Sequence, residues 1–169
     1  MTLTFKIDIP NKLSQKDRSN FLKLLILQGQ VSDPNAVKVN SCPLICIVYV
    51  DNIPIAIGAI KQVYKTPFVK ANVANYKNDF NHELGYLFVI NSVAKNVRGL
   101  GIATTICRLL IKHLEVSNIF ATTEDSSKNP MLHILYKIGF KKLGDTYKGG
   151  QTKKNISLLV KGHKYDTTN

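Results

Sequence analysis

Apolar and polar positions alternate over residues 3–9, with Leu3, Phe5, Ile7 and Ile9 set against Thr4, Lys6 and Asp8. That period of two predicts a strand with one buried face, ended by Pro10. Residues 13–28 gather Leu13, Phe21, Leu22, Leu24, Leu25, Ile26 and Leu27, dense enough for a helix packed into a groove, with Gly29 placed to stop it. Asp33-Pro34 offers an N-cap followed by a proline at the first helical position, so a short helix to about Val39 is expected. Residues 44–50 are apolar throughout and rich in β-branched side chains, as suits a central strand covered on both faces. Asp51-Asn52-Ile53-Pro54 has turn chemistry, and residues 55–63 return as the second strand of a hairpin. Residues 66–80 show no clean period and read as an irregular segment, of a kind that often carries function.

The densest signal lies in residues 82–114. An apolar strand over about 83–93 is followed by a short loop (94–97), a glycine turn (Arg98-Gly99-Leu100-Gly101) and a helix from Ile102 to about Leu114. The helix places Ala103, Ile106, Leu109, Leu110 and Leu114 on one face and turns Arg108 and Lys112 outward. A strand that runs through glycines into a helix suits a phosphate, because backbone N–H groups can approach the anion at the positive end of the helix dipole. A tight strand-to-helix connection is the plainer reading of such glycines. The rest of the chain predicts a strand over 118–123, a charged connection over 124–128 and a helix over about 130–138 closed by Gly139. Two strands follow, 140–147 and 156–160, joined by a basic, glycine-containing loop, and the polar residues after Lys161 read as a tail.

Composition narrows the class. A chain of 169 residues with 44% apolar content is one ordinary domain with a proper core. The longest apolar runs fall far short of a membrane span, and the first ten residues do not read as a signal peptide, so a soluble cytoplasmic protein without a membrane partner is expected. Three cysteines (Cys42, Cys46, Cys107) form no paired framework and have no histidine pair at zinc-ligand spacing, which argues for reduced structural thiols and no metal. The net charge of +12 would attract nucleic acid or a polyanionic ligand. The lysines are spread along the whole chain, however, so a solvated basic surface is favoured over a nucleic-acid stripe.

Two ordered motifs carry a family resemblance. Asn96-Val97-Arg98-Gly99-Leu100-Gly101-Ile102-Ala103 resembles the Q/R-x-x-G-x-G/A signature of the GNAT family of N-acetyltransferases. Residues 129–140, from Asn129 through Leu135-Tyr136 to Gly139-Phe140, look like that family's N-x-x-A-x-x-L-Y-x-x-x-G-F stretch with one residue fewer between tyrosine and glycine. The resemblance covers residues 44–160 and implies a mixed α/β fold. It comprises a mostly antiparallel, twisted central sheet of about six or seven strands, flanked by helices and splayed at a cofactor cleft. It divides the single domain into an acceptor-side half (1–80, with residues 66–80 at the acceptor), a cofactor half (81–161) and a tail (162–169).

The resemblance also implies the chemistry. The cofactor would be acetyl-CoA, its diphosphate held by backbone amides of Arg98, Gly99, Gly101 and Ile102, with Ala103 and Asn129 beside them. Asn96 departs from the motif's long Gln or Arg, which removes one side-chain contact and leaves the backbone cradle. Backbone groups of Asn91 and Val93, or Val89 in another register, would hold the pantetheine and thioester. Glu83 is the candidate general base, acting through water, and Tyr136 the candidate acid for the leaving thiolate; a packed tyrosine or a solvated glutamate is the plainer reading of each. The implied function is acetyl transfer to a primary amine of a small molecule or peptide by direct attack in a ternary complex, with a homodimer left open. A non-catalytic acyl-CoA-binding domain and an acetyltransferase acting on an aminoacylated RNA are the alternatives.

Overall fold

The computed structural model describes residues 2–91, 97, 99–115, 118–150 and 153–162. Among them eight strands form one mixed, mostly antiparallel open sheet in the order β1-β2-β3-β4-β5-β8-β6, with β7 also paired to β8. The strands are β1 (Leu3–Asp8), β2 (Leu44–Val50), β3 (Ile53–Lys61), β4 (Glu83–Val89), β5 (Ile119–Glu124), β6 (Lys141–Lys142), β7 (Tyr147–Lys148) and β8 (Asn155–Lys161). Five α-helices accompany them: α1 (Gln15–Gln28), α2 (Ala36–Asn40), α3 (Thr66–Lys70), α4 (Ile102–Leu114) and α5 (Pro130–Lys137). Contacts divide the chain into two units, Met1–Gln62 with Leu84–Glu115, and Val63–Glu83 with Val116–Asn169.

In the first unit β2 pairs antiparallel with β1 and β3, and all seven of its residues are buried, as its unbroken apolar run requires. Asp51 and Asn52 both take left-handed conformations (φ 48° and 68°), the two-residue turn that matches the twist of hairpin strands. Side chains alternate across β3. Ile57 and Ala59 join Phe21, Leu24 and Leu25 of α1 and Ile45, Ile47 and Tyr49 of β2, while Gly58 faces Ile106 and Leu110 of α4 on the opposite side. Helix α1 starts at Ser14, whose Oγ accepts the Asp17 N–H, and ends at Gly29 in the left-handed cap position.

In the second unit Phe68 of α3 and Ala71, which follows that helix, pack with Phe80, Phe120, Leu158 and Val160. Phe68 stacks on Phe80 and meets Phe120 edge-on. Strand β8 is antiparallel to β5 along its length and also carries β6 and β7.

Three expectations need correction. Residues 66–80 contain helix α3 and a 3-10 turn, Ala74–Tyr76, where an irregular segment was predicted; Pro67 opens that helix, which is too short to show a period. The strand predicted over 140–147 is split into β6 and β7, because Gly144 (φ 72°) turns the chain where an added Cβ would lie 2.2 Å from the Ala71 carbonyl oxygen. That split raises the strand number to eight among the described residues. Asn35, not Asp33, caps α2, accepting the Lys38 N–H at 3.0 Å.

Candidate functional site

The glycine turn enters α4 as the sequence requires. Gly99 and Gly101 are left-handed (φ 80° and 66°), a conformation that strains any residue with a Cβ, and a Cβ built on either meets nothing within 4 Å. Gly101 occupies the N-cap position with no side-chain cap, and the first turn carries no acidic residue. The amides of Ile102 and Ala103 therefore open the helix under its positive dipole end, with the Ile102 side chain buried and Leu100 half exposed. An open, uncapped, glycine-lined helix start fits a diphosphate. Val93, Asn96 and Arg98 lie outside the described residues, as do the rest of 92–96 and the tail from 163.

Strand β4 is irregular. Tyr86 has φ 54°, a left-handed conformation that a bulky residue adopts only where its surroundings impose it. Two side chains engage this stretch of the strand. Lys61 lays its methylenes where a Cβ on Gly85 would touch them, 3.0–3.7 Å away, and sets its ammonium 5.4 Å from the Tyr86 ring centroid. Gln28, the last residue of α1, donates from Nε2 to the Leu87 carbonyl at 2.9 Å. Beyond Tyr86 the Ile90 N–H donates to the Ile55 carbonyl of β3 at 2.8 Å. By alternation the N–H group of Val89, the last residue of β4, points away from β3. Asn91 lies in the first unit with Gly99, Gly101, Ile102 and Ala103.

Glu83, Asn129 and Tyr136 belong to the second unit. Glu83 opens β4, is buried, and pairs in parallel with Phe120, the one register pair between β4 and β5 among the described residues. The segment leading into it is held by Lys65, whose ammonium donates to the Lys77 carbonyl at 2.6 Å, to the Phe80 carbonyl and to Asn81 Oδ1. Burial, then the Lys77 charge, lowers the Lys65 pKa; burial, then the Lys65 charge, lowers that of His82. Tyr147 is pushed up to about 12, first by burial and then by the Glu83 carboxylate. Sequence reasoning missed Tyr147 because its partner is distant in the chain.

Asn129 caps α5. Its Oδ1 accepts the Met131 N–H at 3.1 Å, while Nδ2 donates to Thr123 Oγ1 (2.8 Å) and to the Glu124 carbonyl (2.7 Å). These bonds tie the helix start to the end of β5. Tyr136, on α5, is 46% exposed, so its phenol is not a core group. Glu124 and Asp125 are engaged by Lys154 (2.7 Å) and Lys142 (3.1 Å). Cys42, Cys46 and Cys107 are free and buried. Among the described residues no helix is long and apolar enough to cross a membrane, and no group of three or more His, Cys, Asp or Glu residues gathers to hold a metal ion.

Solved structures share this architecture along nearly the whole chain. An N-acetyltransferase complex, NatC bound to Gag peptide and CoA, superimposes with a TM-score of 0.70 at 17% identity, over 96% of this chain and 99% of that one. Aminoglycoside 6'-acetyltransferase type Ii gives 0.63 at 18% identity over 96% and 97%. An N-acetyltransferase from Staphylococcus aureus Mu50 gives 0.63 at 14% over 96% and 98%. No family model and no curated protein sequence matches the chain. The chain has the GNAT N-acetyltransferase fold.

Proposed function

We propose that the protein is an acyl-CoA-dependent N-acyltransferase of the cytoplasm, one domain that moves an acetyl group from acetyl-CoA to a primary amine in a ternary complex. The observation that carries this reading is the uncapped start of α4, entered through two left-handed glycines with open space around them, on a GNAT fold. Bound there, acetyl-CoA supplies a thioester-activated acyl group.

The chain's own residues supply the rest. Amides of Gly99, Gly101, Ile102 and Ala103, with Arg98, hold the diphosphate, and Asn129 caps α5. Backbone groups of Asn91 and Val93 hold the pantetheine arm as an added strand would be held. An alkyl ammonium of pKa near 10.4 is neutral only about one part in a thousand at pH 7.4, a handicap of roughly 4 kcal/mol, so a group must take its proton. Glu83 takes it through water, and Tyr136 gives a proton to the departing thiolate.

The test is thiol release from acetyl-CoA with a library of small amines and peptides. Amine-dependent release, lowered about a hundredfold or more in Glu83→Gln and about tenfold in Tyr136→Phe, is expected. Binding of acetyl-CoA with no release on any amine would leave a binding domain without catalysis.

A further inference from the structure

Helix α1 buries Phe21, Leu24 and Leu25 against the sheet. Gln28 stands four residues beyond Leu24 and three beyond Leu25, on that same face, where the pattern calls for an apolar side chain. An amide there is costly unless it is used, and only one end of it is: Nε2 bonds the Leu87 carbonyl, while Oε1 is buried with no hydrogen-bond partner among the described residues. A residue selected for packing alone would be Leu or Met. What Gln28 holds is the carbonyl next to Tyr86, the left-handed residue within β4.

We propose that Gln28 is a positioning residue. Its amide clamps the Leu87 carbonyl and thereby fixes the direction of the β4 backbone beyond Tyr86, including the Val89 N–H group that faces away from β3. This rests on the proposed function, in which that stretch of β4 holds the pantetheine and thioester. The clamp sets how well that donor is pre-oriented when the acyl group transfers, so its loss acts on turnover more than on binding. It touches neither reactant. Gly29, left-handed at φ 71°, ends α1 directly after Gln28 and so fixes the position of the amide.

The test uses the full chain and two variants. Gln28→Met keeps the shape and removes the donor; removal of the unpaired Oε1 offsets part of the lost bond, so the variant is expected to melt within a few degrees of wild type. Hydrogen exchange across residues 84–91, measured without acetyl-CoA, is expected to quicken about tenfold or more. With a working acceptor, kcat is expected to fall about tenfold while the KM for acetyl-CoA changes less than about threefold. In Gln28→Glu the ionised carboxylate cannot donate, so at pH 8 exchange relative to wild type resembles Gln28→Met. At about pH 4, where the carboxyl is largely protonated, its O–H donates to Leu87 and protection returns. Exchange unchanged in Gln28→Met, no recovery of Gln28→Glu at low pH, or a rise in KM with kcat intact would each overturn the proposal. Failure of the wild type to bind acetyl-CoA would instead strike the proposed function, and the exchange measurements would still decide whether Gln28 holds β4 at Leu87.

Discussion

Tyr49 donates from its hydroxyl to Asp17 Oδ1 at 2.6 Å, joining the end of β2 to the first turn of α1. Lys6 Nζ reaches both oxygens of the same carboxylate at 2.9 and 3.1 Å, Ser14 Oγ donates at 2.6 Å, and Asn20 Nδ2 donates to the Tyr49 oxygen at 3.2 Å. Burial alone raises the Asp17 pKa, but the bonds from Ser14, Tyr49 and Lys6 and the Lys6 charge outweigh it and hold the carboxyl at about 2. Burial first, and then the same carboxylate against the Asn20 bond, pushes Tyr49 up to about 12.

A depressed carboxyl pKa contributes stability that is present above its unfolded value near 3.9 and is lost as the pH falls through its folded value. Wild type is therefore expected to lose about 2 kcal/mol between roughly pH 4.5 and 2 from this group. Asp17→Asn should flatten that part of the profile and lower stability at pH 7 by about 1–3 kcal/mol. Urea unfolding at a series of pH values checks both.

Gly58 is where α4 meets the sheet. A Cβ there would lie 2.5 Å from Ile106 Cγ2 and 3.1 Å from Leu87 Cδ1. Gly58→Ala is expected to displace α4 and lower stability by about 1–3 kcal/mol. Because α4 carries the glycine turn at its start, acetyl-CoA binding should weaken as well; thermal melting and titration on the same variant measure the two effects.

The three thiols are expected to be inert. Burial raises Cys42, Cys46 and Cys107 to about 12, so the reactive thiolate is scarce at pH 8. An aromatic disulfide reagent should label none of them in the folded protein and all three in denaturant. Rapid native labelling of one would contradict the packing around it.

Asn129→Ala removes a cap and two ties to β5, and a loss of about 1–2 kcal/mol is expected in urea unfolding. Asn129→Asp keeps the acceptor that caps the helix and should recover about half of that loss.

What the sequence made legible was local in origin. The Asp51-Asn52 turn, the wholly apolar β2 and the boundaries of α4 each depend on signals within a few residues. The left-handed Tyr86 does not: nothing in its neighbours calls for that conformation, and the side chains beside it, Gln28 and Lys61, come from distant segments. Gly144 likewise needs Ala71 beside it before its conformation has a reason. For Gln28 a signal was present, an amide in register with Phe21, Leu24 and Leu25, and it acquires meaning once its Leu87 partner is known.

The central claim is that the start of α4 binds the diphosphate of acetyl-CoA. Glycine substitutions there would strain the backbone, whereas Leu100 lies between the glycines, is 49% exposed and is absent from the left-handed residues. Isothermal titration of wild type and Leu100→Glu with acetyl-CoA is therefore the most direct measurement. Saturable binding by wild type, weakened about tenfold or more by the added carboxylate with the melting temperature unchanged, is the predicted result. No binding by folded wild type, or equal binding by the variant, would contradict it.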